Sequence, residues 1–219
     1  MKLLVLSDTH LTLPFEEKKY QLLKRIIFDA DQVVINGDFW EGYLHSFDDF
    51  IRSDWKKLFP LLKKKQTIYI LGNHDRLIFA DKKKFSLFSD KQLTKYVWTS
   101  RDKTFVFEHG NRHLPLEESL PDVTVPLFRL TVAFWNMIEH LCIIGTGNRY
   151  QRMLQKYNDK IKKKIRKEYT LGEYFVCGHT HCQEVDLENR FINTGIIKYG
   201  LAQFMYIEDG IINTVEERY

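Results

Sequence analysis

Hydrophobic and polar positions follow two alternating periods along the first hundred residues. Short apolar runs typical of buried β-strands lie at residues 3–6, 33–35 and 67–71. Between them, apolar residues recur at helical spacing over residues 15–28 and 46–62. Ser46 and Asp49 resemble a capping box at the start of the second helix. Such strand–helix alternation predicts parallel strands with helices packed outside them.

A further strand is predicted at residues 105–107. After residue 109 the alternation of strands and helices stops, and the next strands are predicted at residues 174–176, 183–187, 190–193, 201–207 and 211–216. The Asp209-Gly210 pair predicts a hairpin turn between the last two. Between residues 111 and 172 the chain instead shows two helical patterns, which we interpret as an insertion.

The two helices of the insertion differ in character. The first, residues 126–144, begins at Pro126, ends before Gly145 and is apolar almost all round. Its few polar residues form a narrow stripe, made of Arg129, Asn136 and His140 with Glu139 beside it. The second, residues 149–169, is amphipathic, with its basic residues on one face. The apolar face of this second helix is predicted to hold Tyr150, Met153, Leu154, Tyr157, Ile161 and Ile165.

Composition and charge indicate the class of protein to which the chain belongs. The 219 residues are 44% hydrophobic and 28% charged, which suits one folded core. Net charge is only +4, but residues 149–168 hold nine Lys or Arg against two acidic residues, a local basic patch. The three cysteines form no C-x-x-C pair, and no signal peptide or membrane span is evident. We therefore expect a cytoplasmic protein.

Five short polar blocks, each directly after an apolar run, carry the candidate chemistry. They are Asp8-Thr9-His10, Gly37-Asp38-Phe39-Trp40-Glu41, Gly72-Asn73-His74-Asp75, His109-Gly110 and Gly178-His179-Thr180-His181. Open α/β sheets place their sites at the carboxyl ends of strands. Carboxylates, an amide oxygen and imidazoles suit a divalent metal of the Mn, Fe or Zn kind. This ligand capacity exceeds the needs of one ion, so the sequence predicts two.

In order and spacing, the five blocks resemble the signature motifs of the calcineurin-like metallophosphoesterase superfamily. The resemblance covers nearly the whole chain except the insertion. It implies a four-layer α/β/β/α sandwich, formed by a single domain over residues 1–219, with residues 111–172 as a helical cap.

The resemblance also assigns metal ligands. It implies that Asp8 and His10 hold the first metal and that Asp38 bridges both ions. The second metal would take Asn73, His109 and His179, while His181 returns to the first. Mn²⁺ is the expected metal, and Fe or Zn fits the same ligands. His113 is a local competitor of His109, which we prefer because it directly follows a strand.

Direct hydrolysis of a phosphate ester by metal-activated hydroxide is the implied reaction. His74 would stabilise or protonate the leaving oxygen, with Asp75 orienting His74 and Glu41 in a supporting position. Arg76 and Arg112 are candidates to bind substrate phosphate, although surface solvation explains both equally well.

Within the superfamily, the chain most resembles the branch that contains UDP-2,3-diacylglucosamine pyrophosphatase. Chain length, the Gly-Asp-Phe-Trp-Glu-Gly-Tyr block and the helical insertion carry this resemblance. It implies that helix 126–144 receives acyl chains and that residues 126–168 make peripheral contact with the inner membrane face. That branch typically has Arg where this chain has His74, so the match is incomplete there.

Alternatives stay open at this point. Helix 126–144 could belong to the core, and the basic face could simply be solvated. The substrate could be a small soluble diester such as a cyclic nucleotide. One basic patch without a set of base-stacking aromatics argues against nucleic acid. A non-catalytic scaffold on the same fold is a further alternative, but such scaffolds lack metal ligands, and here the ligand set is complete.

Overall fold

Apolar runs of the sequence build two β-sheets in the computed structural model, which describes residues 1–75, 82–115, 126–146, 148–169 and 172–219. In chain order the strands are β1 (Lys2–Leu6), β2 (Gln32–Asn36), β3 (Ile68–Ile70), β4 (Lys91–Leu93), β5 (Tyr96–Ser100), β6 (Lys103–Phe107), β7 (Glu173–Cys177), β8 (Glu184–Asp186), β9 (Phe191–Asn193), β10 (Ile197–Lys198), β11 (Leu201–Glu208) and β12 (Ile211–Arg218).

The first sheet has the order β10-β11-β1-β2-β3-β4, and β12 also pairs with β11. Its strands β1 to β4 run parallel, with Val5 opposite Val34 and Val34 opposite Ile68. The second sheet has the order β5-β6-β7-β9-β8, and β6, β7 and β9 are parallel. The predicted hairpin joins β11 to β12, and Asp209 and Gly210 both have positive φ, at 49° and 75°.

Helices cover the outer faces of both sheets. They are α1 (Glu17–Phe28), α2 (Phe47–Arg52), a 3₁₀ helix (Asp54–Leu58), α3 (Phe59–Lys64), α4 (Lys82–Phe85), α5 (Pro126–Thr146) and α6 (Asn148–Ile165). Leu3 and Val34 from one sheet pack with Phe107 and Ile192 from the other. Other clusters join α1 to the outer face of the first sheet, and Ile161 of α6 to the second. The predicted α/β/β/α layering is confirmed.

The prediction of one continuous helix over residues 46–62 is wrong, because the structure has α2, the 3₁₀ helix and α3 there. Ser46 does cap α2, accepting a hydrogen bond from the Asp49 N–H at 3.2 Å. The helix stops at Ser53, whose backbone is extended (ψ 171°) and whose hydroxyl accepts from the Trp55 N–H. Ser53 is therefore a second N-cap inside the apolar periodic pattern, and a 3₁₀ helix begins after it. The sequence pattern also missed β4, β5 and α4.

The insertion forms α5 and α6, close to the predicted bounds. Helix α5 is partly core, because Phe128, Val132 and Ile143 are buried. It also exposes a stripe of apolar side chains, made of Leu130, Phe134, Met137, Leu141 and Ile144.

On α6 most of the basic residues are exposed, as predicted. Met153, which was predicted to lie on the apolar face, is 68% exposed. Among the described helices, none is long and apolar enough to cross a membrane.

Candidate metal centre

The motif residues turn the chain sharply where the strands end. Asp8, His10, Asp38, His179 and His181 all have left-handed backbone conformations, with φ between 41° and 64°. Non-glycine residues rarely adopt this region, and such strain concentrates at functional sites. The turns bring side chains from β1, β2, β3, β6 and β7 together at one edge of the sandwich.

Three motif glycines leave the space that these side chains occupy. A Cβ added at Gly72 would lie 2.0 Å from Asp38 Oδ1, and one at Gly178 would lie 2.1 Å from Asp8 Oδ2. At Gly37 it would lie 2.3 Å from His109 Nδ1, and the φ of +90° also favours glycine there. Each glycine of one motif therefore makes room for a candidate ligand of another motif.

A first ligand group consists of Asp8, His10 and His181. His181 Nε2 lies 3.3 Å from Asp8 Oδ1 and 3.3 Å from His10 Nε2. The Nδ1 atom of His10 faces Glu41 Oε2 at 3.0 Å, so the Nε2 atom is the one available to a metal. Two imidazole nitrogens and a carboxylate oxygen converge on one point.

A second group lies around His109. Its Nδ1 donates to the Asn36 carbonyl at 2.9 Å, and its Nε2 lies 3.0 Å from Asn73 Oδ1 and 3.2 Å from Asp38 Oδ2. His179 is beside it, with 5.2 Å between the ring centroids. Because His179 Nε2 donates to the Leu114 carbonyl at 2.8 Å, its Nδ1 is the nitrogen with a lone pair.

Asp38 lies between the two groups. Its Oδ2 is 3.2 Å from His109 Nε2 and 3.9 Å from His10 Nε2. Burial alone would raise the pKa of Asp38, but the charges of His109, His74 and His10 outweigh burial and lower it. Burial likewise opposes protonation of His109, yet Asp38 and Asp8 raise the pKa of His109 to about 9.

These residues fit divalent metal ions. Among the described residues, Asp8 Oδ1 is buried and accepts no hydrogen bond, although it faces His181. The carboxylates of Asp8 and Asp38 are both buried and both face His10 Nε2, at 3.8 and 3.9 Å. Electron-rich atoms packed this closely need positive charge among them, and carboxylate, amide and imidazole donors suit Mn, Fe or Zn.

His74 lies at the rim of the centre. Its Nδ1 faces Glu41 Oε1 at 2.6 Å, its Nε2 lies 3.9 Å from Asp38 Oδ2, and Tyr43 packs against its ring at 4.2 Å. Glu41 therefore contacts both His10 and His74.

The role predicted for Asp75 needs correction. The carboxylate that holds His74 is Glu41, and not Asp75. Asp75 instead accepts from the backbone N–H groups of Phe39 at 2.9 Å and Gly72 at 2.5 Å, and it contacts the Tyr69 hydroxyl. Burial, and then the charge of Asp38, raise the pKa of Asp75 to about 7. Asp75 thus ties the second and third motif turns together.

The predicted phosphate-binding arginines receive little support. Arg112 is half exposed and pairs with Glu108 at 3.2 Å and Glu168 at 2.9 Å, so carboxylates already balance its charge. Arg76 lies outside the described residues. His113, the competitor of His109, instead packs edge to face on Phe175 with 5.2 Å between the centroids.

Helices α5 and α6 both contribute side chains next to the candidate metal centre. A cavity of about 200 Å³ is lined on one side by Asp38, Asn73, His74, His179 and His181 and on the other by Tyr150, Leu154 and Tyr157 of α6. Helix α5 contributes Glu139, whose carboxylate contacts His181. Sequence reasoning missed this contact, and the only signal was a carboxylate beside the polar stripe of an apolar helix.

The chain is similar to several solved structures. Wild-type Vps29 from Entamoeba histolytica, complexed with Zn²⁺, is 15% identical, with 100% of this chain and 99% of that chain covered and a TM-score of 0.47. YfcE, a phosphoesterase from E. coli, is 16% identical, with 97% and 91% covered and a TM-score of 0.48. An archaeal phosphodiesterase is 15% identical, with 99% of each chain covered and a TM-score of 0.48.

Sequence comparison identifies the family of the chain through a family model, whereas a search of curated proteins found no match. The family model described as calcineurin-like phosphoesterase matches residues 1–183, a range that contains all five motif blocks and both inserted helices. Because this match spans most of the sequence, the chain belongs to the calcineurin-like phosphoesterase family.

Proposed function

We propose that the protein is a dinuclear-metal hydrolase that cleaves a phosphodiester or pyrophosphate bond. The observation that supports this best is the position of Asp38 between the His10 and His109 ligand groups. Two divalent ions held there would lower the pKa of a bound water from 15.7 to about 7 and polarise the phosphoryl oxygens. Mn²⁺ is the metal we expect, although Fe and Zn suit the same donors.

The chain's own groups then position the substrate and move a proton. His74 lines the cavity, and Glu41 holds its Nδ1, which directs Nε2 towards the substrate. From there Nε2 stabilises or protonates the leaving oxygen. Glu41 stabilises the imidazolium form that this donation needs. Tyr150, Leu154 and Tyr157 restrict access of bulk water to the cavity.

An amphiphilic substrate, of the UDP-2,3-diacylglucosamine type, is the one that the insertion favours. Helix α5 exposes an apolar stripe that includes Phe134 and Leu141, and Trp135 beside it is 60% exposed. Acyl chains would pack on this surface while the phosphate reaches the cavity under α6. A small soluble diester would leave the stripe without a role.

The same surface gives the protein a route to a membrane. An apolar helix face with aromatic residues, next to a helix with a basic face, suits the boundary of an anionic bilayer. Lys160, Lys163 and Lys164 are among the exposed basic residues of α6. Peripheral contact of α5 and α6 with anionic lipid is therefore part of the proposal.

Hydrolysis is tested by Mn²⁺-dependent release of UMP from UDP-2,3-diacylglucosamine, with bis(p-nitrophenyl) phosphate as a generic diester. Loss of UMP release in Asp38→Ala would support the lipid-nucleotide proposal. Cleavage of the generic diester alone would move the substrate to small soluble diesters such as cyclic nucleotides. A protein that binds no metal and cleaves neither compound would be a scaffold.

Membrane contact is tested separately by sedimentation with phosphatidylcholine vesicles, with and without phosphatidylglycerol. We expect binding only to the anionic vesicles, lost in Phe134→Ser/Trp135→Ser and weakened in Lys160→Gln/Lys163→Gln. Lys24→Gln, at an exposed position on α1, is the matched control. Equal sedimentation of all variants would contradict the contact.

A further inference from the structure

One side chain joins the inserted helix α5 directly to the candidate metal centre. Glu139 is only 7% exposed although it lies on a mostly apolar helix. One of its carboxylate oxygens contacts His181 Nδ1, and the other lies 3.0 Å from Lys198 Nζ. Lys198 is itself 4% exposed and also donates to Asn136 Oδ1 at 2.8 Å. The carboxylate is therefore held between a lysine and a candidate metal ligand.

This contact fixes which nitrogen of His181 faces the metal centre. Because Nδ1–H donates to Glu139, the Nε2 atom is the one directed at Asp8 Oδ1, 3.3 Å away. A carboxylate in this position orients the ring and increases the basicity of the nitrogen that binds a metal.

The two ligand groups are supported differently. In the first group, both imidazoles are backed by carboxylates, since His10 Nδ1 faces Glu41 and His181 Nδ1 faces Glu139. In the second group, His109 and His179 donate to the backbone carbonyls of Asn36 and Leu114. A full negative charge behind a ring strengthens a metal ligand more than a carbonyl dipole does. The first site should therefore depend on its two carboxylates.

We propose that Glu139 is a positioning residue for His181, and that α5 is by this means an integral part of the first metal site. The inference rests on the proposed function, because it takes His181 as a metal ligand. Lys198 holds the carboxylate in place, whereas Asn136 contacts Lys198 and not the carboxylate. Removal of the carboxylate should then weaken one metal site selectively, whereas loss of Asn136 should weaken neither.

Calorimetric titration with Mn²⁺ of the full-length, metal-stripped protein tests this. Glu139→Ala should lower the affinity of one site by about 10–100-fold and leave the other unchanged. Glu139→Gln keeps an oxygen that accepts from His181 Nδ1, so its loss should be smaller. Asn136→Ala, one turn earlier on α5, is the matched control and should bind both ions as the wild type does.

The outcomes separate this inference from the proposed function. Wild-type protein that binds no Mn²⁺ would overturn both. Wild-type protein that binds two ions, with unchanged affinities in Glu139→Ala, would overturn the role of Glu139 alone. If Glu139→Ala fails to fold, as judged by its melting transition, Glu139→Gln decides: reduced affinity at one site supports the inference, and two unchanged sites contradict it.

Discussion

His10 and His74 share one carboxylate. Their rings lie edge to face, 4.5 Å apart at the centroids, and Glu41 reaches both, with Oε2 3.0 Å from His10 Nδ1 and Oε1 2.6 Å from His74 Nδ1. Glu41 is fully buried. A candidate metal ligand and the candidate proton donor are therefore oriented by the same side chain, and their positions are coupled.

Replacing Glu41 with glutamine should disturb both histidines. The amide has one acceptor oxygen in place of two, so it cannot accept from both Nδ1–H groups. We expect Glu41→Gln to lower Mn²⁺ affinity by about 10–100-fold and to lower kcat as well, measured by titration calorimetry and diester hydrolysis. The exposed Glu17→Gln is the control. Wild-type values for Glu41→Gln in both assays would refute the coupling.

His74 should matter most when the leaving group is poor. A positioned general acid contributes about 10²–10⁴-fold to rate. We expect His74→Gln to lose activity in this range on a diester with an alkyl leaving group and to lose less with p-nitrophenolate, while still binding two Mn²⁺ ions. Equal losses for both leaving groups would exclude a role of His74 in proton donation.

Gly72 should be irreplaceable because of Asp38. A Cβ there would lie 2.0 Å from Asp38 Oδ1 and 2.7 Å from the Asp38 backbone nitrogen, so Asp38 must move. We expect Gly72→Ala to lose bound Mn²⁺ and most activity. Gly145→Ala, in helix α5, meets no atom within 4 Å and should keep both. Metal content by mass spectrometry would show the difference, and two ions retained in Gly72→Ala would contradict the packing argument.

Lys19 should make stability depend on pH. Its side chain is fully buried and donates to the Thr9 carbonyl. Burial, only partly offset by Glu16, lowers the pKa of Lys19 from 10.5 to about 8. Between pH 8 and 10.5 the unfolded chain then binds more protons than the folded one, so the stability of the folded state rises with pH in this window.

The comparison with Lys19→Met isolates this effect. Below pH 8 the wild type carries the full cost of the buried charge, roughly 3 kcal/mol at most. Between pH 7 and pH 10, we expect the free energy of unfolding of wild type to increase by roughly 2 kcal/mol relative to that of Lys19→Met, measured by urea unfolding of metal-free protein. A difference that does not change with pH would mean that the pKa of Lys19 is not lowered.

The candidate ligands could be grouped from the sequence because they lie in short blocks close after strands. Local chain order therefore places Asp8 and Asp38 after strands of the first sheet and His109 after a strand of the second sheet. The supporting residues depend on tertiary packing. Glu139 is 42 residues from His181 along the chain, and only the docking of α5 brings them together.

Other differences arose where local signals compete. Asp75 follows His74 directly, which suggested a contact, but its carboxylate turns inwards to backbone N–H groups and Tyr69. The break in the helix over residues 46–62 came from Ser53, whose side chain caps a new start. Strand β4 is only partly buried and has few apolar residues, so its sequence does not indicate a strand. Its hydrogen-bonded pairing with β3 defines it as one.

The number of metal ions bound per chain shows directly whether Asp38 holds two ions at once. Metal-stripped wild type and Asp38→Ala would be dialysed against Mn²⁺, and bound metal counted per folded chain. We expect two ions for wild type, at most one weakly bound ion for Asp38→Ala, and diester hydrolysis only in the wild type. One ion or none in the wild type, or two in Asp38→Ala, would contradict this expectation.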